Sequence, residues 1–277
     1  MKKRICLLLA LVMLVTLIAA CGSETNDSTT MPISNGEWDR IEVYGGGYFI
    51  VSKRVETFDA SRIEFGVVDE DGNWIHPLSA DHIFLGGVYA RFTVGSLRYM
   101  YLGDGMFAAT VGVTLIHSDG TRGLIGQPPH PDATPFVSVF DVNSNSGFVF
   151  RAATMTSEFV DGYLLATDRA RRNANIFRVD MQGNVTEIVS QGSSFGPYSE
   201  GLFWVRSSVN FHNVSGNFYN IHGQQIINLE QYAVQEEFPL PFFENGTAYI
   251  TIRNPGGRLF RVEIDRDGNF LDEPVPA

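Results

Sequence analysis

The chain has 277 residues, of which 44% are hydrophobic and 12% aromatic, and its formal net charge is −11. This acidic balance disfavours nucleic-acid binding, because an acidic surface repels phosphate backbones. The two cysteines, Cys6 and Cys21, both lie near the beginning of the chain.

The first 20 residues have the composition of a secretory signal. Lys2, Lys3 and Arg4 precede an apolar stretch from Ile5 to Ala20, with small residues before Cys21. A charged region, a short apolar region and small residues at a cleavage point are typical of a signal peptide. An uncleaved membrane helix is the alternative, but such a helix needs about 20 apolar residues. We therefore expect residues 1–20 to be removed.

The run Ile18-Ala19-Ala20-Cys21 resembles the bacterial lipoprotein signal. In that family the cysteine receives a thioether-linked diacylglyceryl group, the signal peptidase cuts before it, and the freed amine is often acylated. The resemblance implies lipidation of Cys21 and a protein anchored on the extracytoplasmic face of the cell membrane. Two or three acyl chains hold a protein on a bilayer far more firmly than one.

Residues 21–36 contain the run from Gly22 to Thr30, which has no apolar residue. We expect this segment to be a flexible tether, because it has nothing to bury. The chain after the signal has 17 basic and 31 acidic residues, a net charge of −14. With Cys6 removed and Cys21 lipidated, no thiol is left for a disulfide, a zinc site or a nucleophile.

Residues 37–277 show two alternating turn signals and no convincing long helix. The first is a turn with glycine followed by alternating aromatic and aliphatic residues, and it occurs at Gly47, Gly105, Gly162, Gly201 and Gly246. The second is a β-prone run that ends in a polar glycine turn, and it occurs at Gly72, Gly120, Gly183, Gly223 and Gly268. Asp-Gly and Asn-Gly between β-prone runs favour tight hairpins, because glycine reaches positive φ easily.

The second set of turn glycines is spaced 48, 63, 40 and 45 residues apart. A period of 40 to 50 residues is typical of propellers and other β-repeat arrays. We predict an all-β fold, a β-propeller of five or six blades, with an open β-solenoid or stacked-hairpin array as the alternative. The 63-residue interval leaves room for a further hairpin, formed by residues 136–140 and 147–150.

Two segments, 198–205 and 65–77, are similar to the two halves of the bacterial WG (KWG) repeat. That repeat reads roughly Phe-Ser-Glu-Gly-Leu-Ala-x-Val and then Trp-Gly-Tyr-Ile-Asp-x-x-Gly-Lys-x-x-x-Pro. The similarity extends over most of residues 44–270, with Phe65-Gly66 where the family has Trp-Gly. It implies a β-repeat array on a secreted or lipid-anchored protein, and it transfers no catalytic residue.

Each repeat unit has apolar residues on both faces of its strands, as in Leu202 and Trp204 against Phe203 and Val205. Both faces must therefore be covered by neighbouring units. A closed ring does this and leaves only short edges. In the ring, we expect residues 41–43 to complete the last sheet beside residues 259–264.

Gly192-Ser193-Ser194-Phe195-Gly196 matches the G-x-S-x-G pattern of a nucleophile elbow. The elbow also requires a helix directly afterwards, to expose the serine and supply the oxyanion N–H. Here Pro197 leads into a β-unit instead. We therefore interpret the match as a chance pattern of loop residues and predict no catalytic residue.

The segments 69–73 and 265–269 share Asp-x-Asp-Gly-Asn, which offers oxygens to calcium. Neither has the glutamate expected six residues after the glycine, so the favoured interpretation is a hairpin turn. The six histidines form no metal-binding spacing; they are His76, His82, His117, His130, His212 and His222. The sequence predicts no metal site and no cofactor.

One basic cluster, Arg169-Ala170-Arg171-Arg172, is interpreted as a solvated hairpin tip, with an acidic glycan or partner as the alternative. Tyrosines at strand ends could line a rim and stack on sugars or peptides, but packing between units is the favoured role. These residues are Tyr44, Tyr48, Tyr89, Tyr99, Tyr101, Tyr163, Tyr198, Tyr219 and Tyr249.

These features together predict a lipid-anchored extracytoplasmic lipoprotein whose non-catalytic β-repeat domain binds a protein, peptide or glycan. The first alternative is a propeller-type glycan hydrolase, which needs two carboxylates converging in one funnel. The second is a structural envelope protein, which predicts an open array and no deep pocket.

Overall fold

A computed structural model describes residues 36–56, 61–79, 98–110, 112–125, 134–168, 174–210, 213–235, 240–254 and 256–277. Within these ranges the regular secondary structure consists of β-strands, arranged in sheets of four, four, nine and five strands. The all-β prediction is confirmed. The signal, the Cys21 lipidation site and nearly all of the predicted tether (21–35) lie outside the described residues.

The first two sheets have four strands each. The first is an antiparallel meander of β1 to β4: Arg40–Gly45, Tyr48–Glu56, Ser61–Asp69 and Trp74–Ser79. The second contains β5, β6, β9 and β10: Arg98–Gly103, Met106–Thr110, Phe136–Asp141 and Ser146–Arg151. We call these sheets units 1 and 2.

The nine-stranded sheet has the order β17-β16-β15-β14-β13-β12-β11-β7-β8. Its outer hairpin is β7 and β8, Val113–Ile116 and Arg122–Ile125. The next strands are β11 to β14: Thr154–Thr156, Tyr163–Thr167, Ala174–Asp180 and Val185–Ser199. The last strands are β15 to β17: Leu202–Asn210, Asn213–Asn220 and Gln225–Ile227.

Strand β14 joins two repeat units, because its two halves pair with different neighbours. Residues 185–192 pair with β13, and residues 192–199 pair with β15. Unit 3 is therefore β11, β12, β13 and the first half of β14. Unit 4 is the second half of β14 with β15, β16 and β17.

Unit 5 is the last sheet, which contains β18 to β22. Its strands are Ala233–Gln235, Phe243–Glu244, Thr247–Arg253, Leu259–Asp265 and Val275–Pro276. β20 and β21 are the long central pair, and β22 is an edge strand of two residues beside β21.

Both classes of predicted turn connect antiparallel strands. In the first class, both central residues of the turn have positive φ. The angles are 51° at Asp161 and 79° at Gly162, and 50° at Glu200 and 82° at Gly201. Two consecutive positive φ angles are typical of a type I′ turn, whose twist matches that of the flanking strands. The two residues of each such turn thus fix the strand register.

In the strands that follow the first-class turns, successive side chains point to opposite faces of the unit. Phe203 and Val205 pack toward unit 3, together with Leu165 and Ile176. Leu202 and Trp204 pack toward unit 5 in a cluster with Ile250. Similar clusters join units 1 and 2 and units 2 and 3, so the sheets pack face to face in chain order. The prediction that both faces of each unit are covered by neighbours is confirmed for the inner units.

The predicted closure of the ring by residues 41–43 is wrong. β1 pairs with β2 rather than with β21, and the strand beside β21 is β22. The described sheets are not closed on one another, which agrees with the open alternative. The outer face of unit 1 is covered by its own residues, because Trp38 packs against Phe49, Val51 and Val68.

The long interval between turns does hold the further hairpin, β9 and β10. This hairpin does not form a sixth unit, because β9 pairs with β6 and completes unit 2. The β7–β8 hairpin, which carries the turn at Gly120, instead joins unit 3 through parallel pairing of β7 with β11.

Candidate functional site

A small cleft lies at the carboxyl ends of β7 and β11. The two strands are parallel, so both end on the same side of the sheet, at Ile116 and Thr156. The Ser157 N–H donates to the Ile116 carbonyl over 3.0 Å and holds the two ends together. Pro197 and Tyr198 of β14 form the opposite wall of the cleft.

The polar side chains of a serine, a glutamate and a tyrosine line the cleft. Ser118 and Glu158 lie on its wall, and within the described chain Glu158 makes no ion pair. Burial and a hydrogen bond to the Asp161 carboxylate raise the pKa of Tyr198 to about 12. Its hydroxyl therefore stays protonated at neutral pH and donates to Asp161.

The geometry of the cleft favours recognition of one polar group of a larger ligand. Its free space is about 10 Å³, roughly that of one water molecule, and pockets that take up whole drug-sized molecules usually enclose about 300 Å³ or more. Its wall offers the side chains of Ser118, Glu158 and Tyr198, which suit a hydroxyl or ammonium group. Sugars and peptide side chains both carry such groups.

The G-x-S-x-G segment does not form a nucleophile elbow. Residues 192–196 lie inside the continuous strand β14, with Ser194 paired to Arg206 and Phe195 paired to Val205. The catalytic pattern requires a sharp strand-to-helix turn at the serine. The chain continues instead through Tyr198 to the hairpin at Glu200.

The two Asp-x-Asp-Gly-Asn segments form hairpin turns in which the first aspartate binds its own turn. Asp69 Oδ1 accepts the N–H groups of Asp71 and Asn73, at 3.0 and 2.8 Å, and Oδ2 accepts the Asn73 side-chain amide. Asp265 makes the same three hydrogen bonds with its own turn. These contacts give the hairpin role that the sequence favours over calcium binding.

Two of the three described histidines link neighbouring units. His76 Nε2 bonds to the Val142 carbonyl over 2.9 Å and so links units 1 and 2. His222 Nδ1 lies 3.0 Å from Arg178 Nη1 and links units 3 and 4. Within the described residues, no group of three metal-binding side chains comes together. His82, His130 and His212, and the basic cluster at 169–172, lie outside the described residues.

Most of the described tyrosines contribute to packing between units, as the sequence favours. Tyr99 and Tyr101 pack between units 1 and 2, and Tyr163, Tyr198 and Tyr219 between units 3 and 4. Burial, and then the charge of Glu42, raises the pKa of Tyr99. Tyr249 differs, because half of its side chain is exposed.

The residues of the cleft were not identified from the sequence. Ser118 and Glu158 are common loop residues, and they come together only because β7 pairs in parallel with β11. No spacing of residues along the chain predicts the parallel pairing of β7 with β11. Tyr198 was identified, but as one of many tyrosines at strand ends.

No known family model matches the sequence, and no curated protein matches it. Among the described residues, no helix has the length and apolar character needed to cross a membrane.

Several solved structures superpose weakly on the chain. A puromycin hydrolase S511A mutant complexed with PGG is 13% identical, with a TM-score of 0.41, over 88% of this chain and 40% of that one. The β-propeller domain of the Trilobed protease from Pyrococcus furiosus, described as an open velcro topology, is 12% identical, with a TM-score of 0.36, over 84% of this chain and 66% of that one. A Mycobacterium tuberculosis puromycin-hydrolyzing peptidase is 12% identical, with a TM-score of 0.41, over 83% and 36%.

The chain thus spans less than half the length of the two hydrolases. At these scores the similarity transfers no activity and no residue.

Proposed function

We propose that this protein is a lipid-anchored extracytoplasmic lipoprotein whose β-sheet domain binds a protein, peptide or glycan without catalysis. The observation that carries the binding role is the cleft at the ends of β7 and β11, with Ser118, Glu158 and Tyr198 around it. Anchoring rests on the Ile-Ala-Ala-Cys21 pattern and on the WG-repeat resemblance of the domain.

The non-catalytic role is supported by the way the carboxylates are arranged. A glycan hydrolase of the usual kind places two carboxyl groups on either side of the scissile bond. Glu158 is the one carboxylate that lines this cleft, while Asp161 accepts a hydrogen bond from Tyr198. One free carboxylate can orient a ligand through its hydroxyl or ammonium groups without cleaving it.

The test is a binding screen of the full-length protein, purified in detergent, against a glycan library and a peptide library. Replacing Glu158 with Gln keeps the shape of the side chain and removes its charge. We expect Glu158→Gln to weaken binding of the selected ligand by roughly tenfold or more, because a hydrogen bond to a charged group is worth about 1.5–3 kcal/mol.

Glu244→Gln is the matched control, since this glutamate is exposed in unit 5 and does not line the cleft. It should leave binding unchanged. Absence of binding in both libraries, or equal effects of the two variants, contradicts the proposed site. Release of a cleaved product that Glu158→Gln abolishes would instead support the hydrolase.

A further inference from the structure

The repeat units obey a simple rule about which side chain faces which neighbour. Counted from the turn glycine, the second residue of the following strand packs on the preceding unit, and the third packs on the next unit. The second residues in units 2 to 5 are Phe107, Leu164, Phe203 and Ala248. The third residues in units 1 to 4 are Ile50, Ala108, Leu165 and Trp204.

Unit 5 breaks the rule at one position. The third residue after Gly246 is Tyr249, and 50% of its side chain is exposed, whereas its counterparts in units 1 to 4 are 0–1% exposed. Ala248 and Ile250 on either side of it are buried against unit 4. Tyr249 thus occupies a stacking position for which the described chain supplies no further sheet.

The outer face of unit 5 has four rows across β20 and β21, of which the outermost are Thr247 with Asp265 and Arg253 with Leu259. The two central rows carry the residues that matter here. In the first row Tyr249 is paired with Glu263, and the Leu271 N–H donates to the Glu263 carbonyl over 2.9 Å. In the second row Arg261 lies between Thr251 and Val275. Leu271 and Val275 are 48% and 60% exposed. The centre of the face therefore carries one cation and one anion, with exposed apolar side chains beside them on the β22 side.

The central residues hold one another in place. The Arg261 guanidinium lies 4.3 Å from the centre of the Tyr249 ring. A hydrogen bond from Tyr249 to Glu263 raises the pKa of Tyr249. Ordering of this kind lowers the entropic cost of association, because the side chains are already fixed before a partner arrives.

We propose that this face packs against the same face of a second copy of the chain. The two-fold axis lies in the plane of the interface, perpendicular to β21, and passes over β21 near Val262. Such an axis makes the two β21 strands antiparallel and places Arg261 of each copy opposite Glu263 of the other. The pair is self-complementary, as an isologous interface requires. Tyr249, Leu271 and Val275 then lie in the sheet-to-sheet contact that the equivalent residues make inside the array.

The size of the face determines the expected strength. The two long strands, β20 and β21, have seven residues each. With the usual spacings of about 4.8 Å between strands and 3.4 Å along them, they cover on the order of 230 Å² per copy. The total of about 460 Å² is below the roughly 1,200 Å² of a standard stable interface, so the dimer is weak and concentration-dependent.

Sedimentation equilibrium of the full-length protein in density-matched detergent tests this, over roughly a hundredfold range of protein concentration. The wild type should shift from monomer to dimer within the range. Arg261→Glu and Glu263→Arg should each raise the dimer dissociation constant about tenfold or more, because each places like charges opposite one another. The double swap Arg261→Glu with Glu263→Arg should restore it.

Arg40→Glu makes the same charge change on an exposed residue of unit 1 and should leave the dissociation constant unchanged. Thermal unfolding of each variant checks that the fold is intact. A wild type that stays monomeric throughout overturns the proposal. So does a double swap that dissociates as readily as the single variants, or an Arg40→Glu variant that dissociates as readily as Arg261→Glu.

Discussion

Single carboxylates hold the second class of turns together. Asp69, Asp180 and Asp265 each accept two backbone N–H groups and one asparagine amide from their own turn. Asn220 occupies the same position in unit 4 and accepts the N–H groups of His222 and Gln224 through its amide oxygen. An uncharged amide oxygen can therefore accept the same backbone hydrogen bonds. Where the residue is an aspartate, its charge makes the stability of the turn depend on pH.

The charge makes the turns sensitive to acid. A hydrogen bond from the Asn73 side chain lowers the pKa of Asp69, and one from the Asn269 side chain lowers the pKa of Asp265. The pKa of an aspartate in an unfolded chain is about 3.9. The stabilisation is therefore complete above that pH and is lost as the pH falls through the lower folded-state values.

We expect the double variant Asp69→Asn with Asp265→Asn to unfold at a lower temperature than wild type at pH 7, because it lacks the charged acceptors, and to lose less stability than wild type between pH 7 and pH 3. Thermal unfolding followed by circular dichroism at both pH values measures this. Asp71→Asn with Asp267→Asn is the matched control, because these neighbours have the same charge but only their N–H groups bind in the turn. Identical pH dependence of the two double variants would contradict the account.

At the scale of the strand pair, two turn glycines with the same φ have different neighbours. Gly162 and Gly223 both have a φ of 79°. A Cβ at Gly162 meets no atom within 4 Å, whereas a Cβ at Gly223 overlaps the carbonyl oxygen of Ile188. The turn of unit 4 is thus packed against β14, and the turn of unit 3 at Gly162 is open.

Replacing each glycine with alanine separates backbone strain from packing. Gly162→Ala should destabilise the fold by about 1–2 kcal/mol, which is the cost of the left-handed conformation. Gly223→Ala should cost about 2–5 kcal/mol, because overlap with β14 adds a further 1–3 kcal/mol. Urea unfolding measures both, and equal losses would show that the turn of unit 4 does not pack on β14.

The sequence predicts the features of these elements that are local. The sequence predicts the turn glycines, the alternation of apolar residues and the additional hairpin at 136–150, because each depends on residues close together in the chain. It does not predict which sheet the β7–β8 hairpin joins. Val113 and Leu115 are buried, and such a strand has the same pattern whichever sheet it joins. The cleft depends on that choice, so its residues were missed as well.

At the scale of the whole molecule, the described sheets cover one another in series, and the series ends at the outer face of unit 5. Unit 1 covers its own outer face with Trp38, which makes an edge contact of 5.5 Å with Trp74. Unit 5 leaves Tyr249 exposed on its outer face. The ring predicted from the sequence would have joined these two ends. Two-sided apolar strands require covered faces but do not specify whether the cover is another unit, a tryptophan or a second chain.

The central claim is that the domain acts from a lipid anchor at Cys21, and mass spectrometry of the protein isolated from cell membranes tests it most directly. The account predicts a chain that begins at Cys21 and carries a diacylglyceryl group on its sulfur. Cys21→Ser should release the protein from the membrane fraction or leave the precursor uncut. A chain that keeps residues 1–20 in the wild type, or a Cys21→Ser variant that is cleaved and retained like wild type, would contradict the account.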